Sequence, residues 1–400
     1  MASEEEEPTV DEDLTELLSL IKEREEPEEK IEVLPLFPQV QKTLIRDVDE
    51  HIGNFIKQGD SIIRKLAVAR KKCEEAKLIH RLEYDEKVGI IAGVDGANTR
   101  PKFLMGCYIS AIAAMFYPAS NAIEPKGTGK TLLIPPIEAK AAYRYTEEYR
   151  MLYELTVALE GLSQGKINVL FLDGSLTPVY WYRYVKYAAV ETEQLQPSFS
   201  GLYVKAFKGE ESCYYKLLNQ NDTIVVGIPK RSTSKTLVKR VLSGLDLPPL
   251  WLTDRQVCSI LLKTGEFTEP IEYKEMVSHP EWLSPTVEKG IKDKDGPSMF
   301  SENTMVTYFK PSPLGPAVRV EFLAKNMKDL PKILSAIQKD FNVSRTTLNV
   351  IHMSDSFSRG IWATPDYIWE ILRTQTTKKA QAEKKEELLD FLEYGFQEIE

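Results

Sequence analysis

Apolar residues fall into two rhythms along the 400-residue chain. Across residues 40–79 they recur three and four apart: Leu44, Val48, Ile52 and Phe55, then Ile62, Ile63, Leu66 and Ala69 after a break at Gly59, Asp60 and Ser61. That spacing predicts helices, and a shorter amphipathic helix is expected over residues 14–21. Continuous apolar runs at 88–94, 104–116 and 131–137 predict three successive strands in an antiparallel meander. Helical spacing returns over 141–162, ahead of strands at 167–172 and 223–228. A polar, Pro/Gly-bearing loop over 290–303 leads into a hairpin over 305–323, and the charged stretch from Thr376 predicts a closing helix. The order of three strands, helix, strand, helical insertion and strand predicts an α/β fold, a mixed β-sheet flanked by helices.

Charge divides the chain further. Residues 1–30 hold 13 acidic and 3 basic side chains, a charge of -10, so the total of -9 leaves the other 370 residues at +1. Such a tail cannot bury enough apolar surface to order itself. The expected organisation is an acidic, disordered tail over 1–35, a helical arm over 36–87, and one domain over 88–400. Helical insertions are expected in that domain near 180–220 and 245–303, with a C-terminal helix at its end. With no run of 18 apolar residues and no basic-then-apolar N-terminus, the chain is expected to be soluble and cytoplasmic, with no membrane segment. Cys73, Cys107, Cys213 and Cys258 are scattered without a CxxC pair, which argues against zinc ribbons and a disulfide framework.

The stretch EPKGTGKTLL ends like a phosphate-binding loop at Gly129, Lys130 and Thr131, but the required earlier glycine is Glu124 and the following LLIPP cannot begin a helix. A Gly-rich turn between strands is the better expectation. More chemistry lies in KVGIIAGVDGANTR and INVLFLDGSL, two apolar runs that each meet Asp-Gly, at Asp95 and Asp173. An aspartate at the end of a buried strand, followed by glycine, lets backbone approach a ligand while the carboxylate enters a cleft. On the intervening helix Glu154 borders the stripe Leu152, Leu155, Leu159 and Leu162, with Glu147 two turns earlier as a second candidate. Carboxylates without cysteine or histidine suit Mg²⁺ or Mn²⁺ and not zinc. The loop PKRSTSK offers Lys230, Arg231 and Lys235 with three hydroxyls, a set suited to phosphate oxygens, and Tyr180, Trp181 and Tyr182 could stack on bases.

In order, GVDGAN, LYELTVALEGL, VLFLDGSL, VVGIPKRSTSKTL and LTDRQVCSILL resemble the motifs of the NurA nuclease family, whose core is similar to ribonuclease H. The resemblance runs from about residue 88 to 263 and continues more weakly to about 373. It implies a ribonuclease H-like fold and metal ligation by Asp95, Asp173 and Glu154, in a two-metal site with ions roughly 4 Å apart. The family closes with a histidine on a late helix; the matching stretch here, RGIWATPDYIWEILR, puts Glu370 there, with Asp366 one turn earlier and His352 as another candidate. The resemblance further implies a Mn²⁺-dependent deoxyribonuclease, with Mg²⁺ as the alternative ion, having single-strand endonuclease and 5′ to 3′ exonuclease activity. It also implies a homodimer acting on DNA with a HerA-type hexameric ATPase beside the complex that processes double-strand breaks, as in archaeal DNA repair. The departure at the histidine leaves a non-catalytic, DNA-binding or translocase-regulating member as the alternative.

Overall fold

The computed structural model describes residues 63–104, 107–135, 139–177, 210–230, 252–276 and 303–360, together with residues 59, 137, 202, 205–207, 234–237, 374–375, 377–379 and 381–382. The chain divides into two compact units, Met1–Ser61 and Ile62–Glu400. Apart from Gly59 the first lies outside the described residues, and so do the acidic tail, Tyr180, Trp181, Tyr182 and the loop over 290–302.

The second unit is built on a sheet of eleven strands: β1 (Ile79–Arg81), β2 (Ile91–Asn98), β3 (Lys102–Leu104), β4 (Cys107–Pro118), β5 (Lys126–Ile134), β6 (Val169–Leu172), β7 (Ile224–Gly227), β8 (Glu266–Thr268), β9 (Ile271–Glu272), β10 (Thr304–Phe309) and β11 (Val318–Leu323). Their order is β1-β8-β10-β11-β7-β6-β2-β4-β3, with β5 also on β4 and β9 on β10. The pairs β2–β6 and β6–β7 are parallel, and the other pairings are antiparallel. Within it the run β5-β4-β2-β6-β7 is an antiparallel meander continued by two parallel strands, the mixed sheet of a ribonuclease H-like core.

The central strands are apolar on both sides because helices cover both faces. The helix α1 (Ala139–Leu162) packs Leu152, Leu155 and Ala158 against Ala92, Val94, Phe116 and Leu170. On the other face α2 (Leu330–Asp340) and α3 (Asn349–Ser358) bury Ile333, Leu334, Ile337, Val350 and Ile351 against Ile91, Val169, Phe171 and Phe322. Each such side chain contributes roughly 1.5–3 kcal/mol on burial. The start of α3 is fixed by Asp340, whose Oδ2 accepts the Val350 N–H at 3.0 Å.

Several elements depart from the expectations. The third expected strand, over 131–137, corresponds to the second half of β5, which begins earlier, at Lys126, in place of the expected Gly-rich turn; it pairs with β4 and is exposed along most of its length, so its polar first half escapes a search for apolar runs. The arm expected over 36–87 is helical across 63–75 but ends in β1, which pairs with β8, while Arg70 Nη1 and Nη2 each lie 2.9 Å from a Glu266 carboxylate oxygen. The expected insertion over 245–303 contributes β8 and β9 to the same sheet. Among the described residues no helix is long and apolar enough to cross a membrane, and all four cysteines are free thiols.

Gly93 sets the approach of α3 to β2. A Cβ there would lie 2.6 Å from the Val350 carbonyl carbon and 2.8 Å from the Ile351 nitrogen, and Ser354 Oγ donates to the Gly93 carbonyl at 3.0 Å. Backbone cannot step aside as a side-chain tip can. Gly93→Ala is expected to lower unfolding free energy by about 1–3 kcal/mol, the usual cost of overpacking, in a urea titration; unchanged stability would contradict the contact.

Candidate active site

The parallel ladder of β2 with β6 runs from Ile91 opposite Val169 to Val94 opposite Leu172. It closes with the Asp173 N–H donating to the Val94 carbonyl at 3.1 Å. Beyond that point β2 keeps only its antiparallel partner β4, through Asn98. Asp95 therefore lies inside its strand, where one neighbour ends, and Asp173 is the first residue after β6. Neither Asp-Gly step is a hairpin turn. Side chains alternate along a strand, so Asp95 shares the α3 face with Ile91 and Gly93, and Asp173 shares it with Val169 and Phe171.

Lys230, three residues after β7, brings an ammonium between these carboxylates. Its Nζ lies 2.6 Å from Asp173 Oδ2 and 3.6 Å from Asp95 Oδ2. The backbone of this lysine is held by Arg255, whose Nη1 donates to the Lys230 carbonyl and whose Nε donates to Ala317 O at 3.0 Å. Arg255 stands on α4 (Asp254–Leu261), which opens with a capping box between Thr253 and Gln256. The segment after Asp173 is fixed by Glu321 of β11, fully buried and paired with Arg319 at 2.7 Å. Glu321 accepts the Ser175 hydroxyl at 2.6 Å and the Leu176 N–H at 2.8 Å.

From the opposite face α1 delivers Glu154. The glycine after Asp95 makes room for it: a Cβ on Gly96 would stand 2.6 Å from Glu154 Oε1. This glycine was expected to admit a ligand, and it admits a neighbouring carboxylate instead. Arg150 bridges the two helix acids, donating to Glu154 Oε1 and, at 3.0 Å, to Glu147 Oε2. Of the two, Glu154 is the one packed on the Asp95-Gly96 step.

Burial governs the electrostatics. Asp95 is 4 % exposed; its Oδ1 accepts the Gly96 N–H at 2.8 Å, and its Oδ2 has no hydrogen-bond partner. Burial first, then the adjacent Asp173 and Glu154, push its pKa up to about 10 against the pull of Lys230. Glu154 rises to about 7, raised by burial and by Asp173 and Glu147, and opposed by Arg150. Lys230 is held above an ordinary lysine: burial disfavours its charge, but Asp173, Asp95 and Asp355 outweigh that. Three oxygen-donor acids with one orphaned buried oxygen fit a hard divalent cation in donor chemistry. Among the described residues no three ligating side chains stand close enough to form a finished metal cage, and the lysine ammonium supplies the positive charge between the aspartates.

The remaining expectations are distributed as follows. Glu370, Asp366 and Arg231 lie outside the described residues. Lys235 is half-buried beside Ser234, whose hydroxyl donates to Asp254 Oδ2 at 2.6 Å. His352 is half-buried on α3. One turn later on that helix stands Asp355, which acts electrostatically on Lys230 and takes an Arg359 Nε contact at 2.5 Å. The sequence reading passed over Asp355, although α3 covers the face to which both strand aspartates point.

The family model described as NurA domain matches residues 89–359, a span that contains Asp355 and stops short of Asp366 and Glu370. Among solved structures the chain is similar to the NurA nuclease from Sulfolobus solfataricus, at 13% identity and a TM-score of 0.54, over 86% of this chain and 98% of that one. It is also similar to a structure of NurA bound to dAMP and manganese, at 12% identity and a TM-score of 0.47, over 77% and 92%. No curated protein matches the chain.

The proton affinities carry a sign. At neutral pH the unfolded chain ionises Asp95 and Glu154, whereas the folded chain holds more protons on them, so stability falls as pH rises from about 4 toward 10. In thermal melts without divalent cation, Asp95→Asn is expected to flatten this fall and to raise stability at pH 8 by about 1–3 kcal/mol, the usual cost of an unsatisfied buried group. A steeper pH dependence in the variant would contradict it.

Proposed function

The chain belongs to the NurA family of nucleases, and on that premise we propose that it hydrolyses DNA phosphodiesters at Asp95, Asp173 and Glu154 with Mn²⁺. The observation that carries the reading is the buried carboxylate group where the β2–β6 ladder ends, with Asp95 Oδ2 at its centre, not hydrogen-bonded among the described residues and 3.6 Å from the Lys230 ammonium. Asp95, Asp173 and Glu154 would hold the cation, and Asp355 supplies a further oxygen donor from α3, in the role first sought at Glu370. When bound, a divalent cation offsets the charge of these acids and supplies Lewis acidity toward the phosphate and an attacking water.

The other residues act around that group. Arg150 orients Glu154 and opposes the loss of its negative charge to burial. Lys230, on release from Asp173, has the reach and charge to meet a phosphate oxygen, and Arg255 keeps its backbone in place. Lys235 and Arg231 add further positive charge for phosphate in the same PKRSTSK stretch of sequence. Single-strand endonuclease and 5′ to 3′ exonuclease activities, a homodimer, and work with a HerA-type hexameric ATPase at broken DNA ends belong to this reading through family membership. One observation favours a second reading: Lys230 already places a cation between Asp95 and Asp173, as a DNA-binding subunit without catalysis would require.

Nicking of single-stranded circular DNA in Mn²⁺ separates the two. The wild type is expected to cut, and Asp95→Ala and Asp173→Ala each to lose about a hundredfold or more in rate, equivalent to roughly 2.7 kcal/mol or more. A folded wild type that binds the circle and leaves it intact, with its translocase present, would establish the second reading. Lys230→Ala is expected to lower the slope of log affinity against log salt by about 0.7 on a single strand with Ca²⁺ present. An unchanged slope would remove its phosphate role.

A further inference from the structure

A cavity of about 530 Å³ opens beside the carboxylates, sharing Glu154 and Asp173 with them. One wall is the face of α1 carrying Tyr143, Glu148 and Met151; the other is Phe207 and Tyr214, whose rings lie 5.2 Å apart, with Gly174 and Ser175 closing the end nearest Asp173. Tyr214 is pinned by its hydroxyl, which donates to the Leu176 carbonyl. Its volume falls in the range of small-ligand pockets, about 300–1,000 Å³.

The unexplained group in this wall is Glu148. It is 1 % exposed, and among the described residues neither carboxylate oxygen has a hydrogen-bond partner. It is not drawn into the Arg150 bridge that joins Glu147 and Glu154. An unsatisfied buried carboxyl lowers stability, and nothing in the packing of α1 requires an acid at that position, where an apolar side chain would complete the wall.

We infer that this cavity seats a nucleobase of the strand being cut, stacked against the exposed ring of Tyr143 and hydrogen-bonded by Glu148 acting as a neutral carboxylic acid. The inference rests on the nuclease reading and names the part of the substrate that lies next to the scissile phosphate. A neutral carboxyl offers one donor and one acceptor, and every nucleobase presents an adjacent acceptor and donor on its edge. An ionised carboxylate offers acceptors alone and suits only an edge with two donors. Burial pushes the Glu148 pKa up to about 9, against a weaker pull from Arg144, so the protonated form is the one present at neutral pH. Stacking on aromatic rings is indifferent to base identity. Both features give a base seat without sequence preference, and Lys140 and Arg144 on the same wall supply charge for the flanking backbone.

The test compares a fluorescein-labelled 12-nucleotide single strand with the same strand made of abasic residues, bound in Ca²⁺ and read by anisotropy. Wild type is expected to bind the normal strand about tenfold or more tightly than the abasic one, a ratio fitting two hydrogen bonds plus stacking. Glu148→Gln keeps one donor and one acceptor and is expected to keep that ratio within about twofold. Glu148→Leu is expected to melt no lower than wild type and to lose at least about threefold of the ratio through weaker binding of the normal strand only. A Glu148→Leu variant with the wild-type ratio, or one that weakens both strands equally, would overturn the base seat. So would a Glu148→Gln variant as impaired as Glu148→Leu. Failure of wild type to cleave in Mn²⁺ would count against the nuclease reading instead, because the binding ratio is read without turnover.

Discussion

The structure depends on where one parallel ladder stops. β2 and β6 pair as far as Val94 and Leu172, and the next residue of each strand is an aspartate. Parallel strands in register put those two side chains on one face, a strand spacing of roughly 5 Å apart, whatever the rest of the chain does. Two carboxylates so placed repel each other and resist burial, so the surroundings must supply positive charge or protons. Lys230 at the end of β7 and Arg150 on α1 supply charge, and Asp95 takes up a proton. Further positive charge among these acids would relieve that cost.

Surrounding elements read as supports for that edge. Gly93 lets α3 lie against β2, which carries Asp355 to the face of the aspartates, and Gly96 lets α1 bring Glu154 from the other side. Glu321, paired with Arg319 inside the sheet, ties down Ser175 and Leu176 directly after Asp173. Arg255 holds the Lys230 carbonyl, so the basic loop begins from a fixed point. The far half of the sheet thus contributes positioning to a site whose acids come from the near half and its helices.

Much of this was legible in the sequence, for physical reasons. β2, β4, β6 and β7 are buried on both faces and announce themselves as apolar runs, and their order suffices for a mixed sheet flanked by helices. β5 was legible only in its second half, where residues 131–134 fall in the expected third strand, because its exposed first half has no apolar pattern to show. β8 and β9 were hidden because three- and two-residue strands carry too little periodicity. Glu154 and Glu147 both border the same helix stripe, so spacing within the helix leaves them level; the family resemblance favours Glu154, and the close approach at Gly96 shows it packed beside Asp95. Asp355 was passed over because α3 reaches β2 across more than 250 residues of chain, and such a non-local contact leaves no mark in local spacing. Lys230 was read as a contact for DNA phosphate, and the structure shows the same charge turned inward to the aspartates.

The central claim is that a divalent cation takes the charge-balancing place that Lys230 holds among Asp95, Asp173 and Glu154. Anomalous diffraction from crystals grown in Mn²⁺ measures this directly. The expected result is a manganese peak against the Asp95 and Asp173 carboxylates, with the Lys230 ammonium moved off Asp173. A Lys230 ammonium still bound to Asp173, with no manganese at the aspartates, would contradict it.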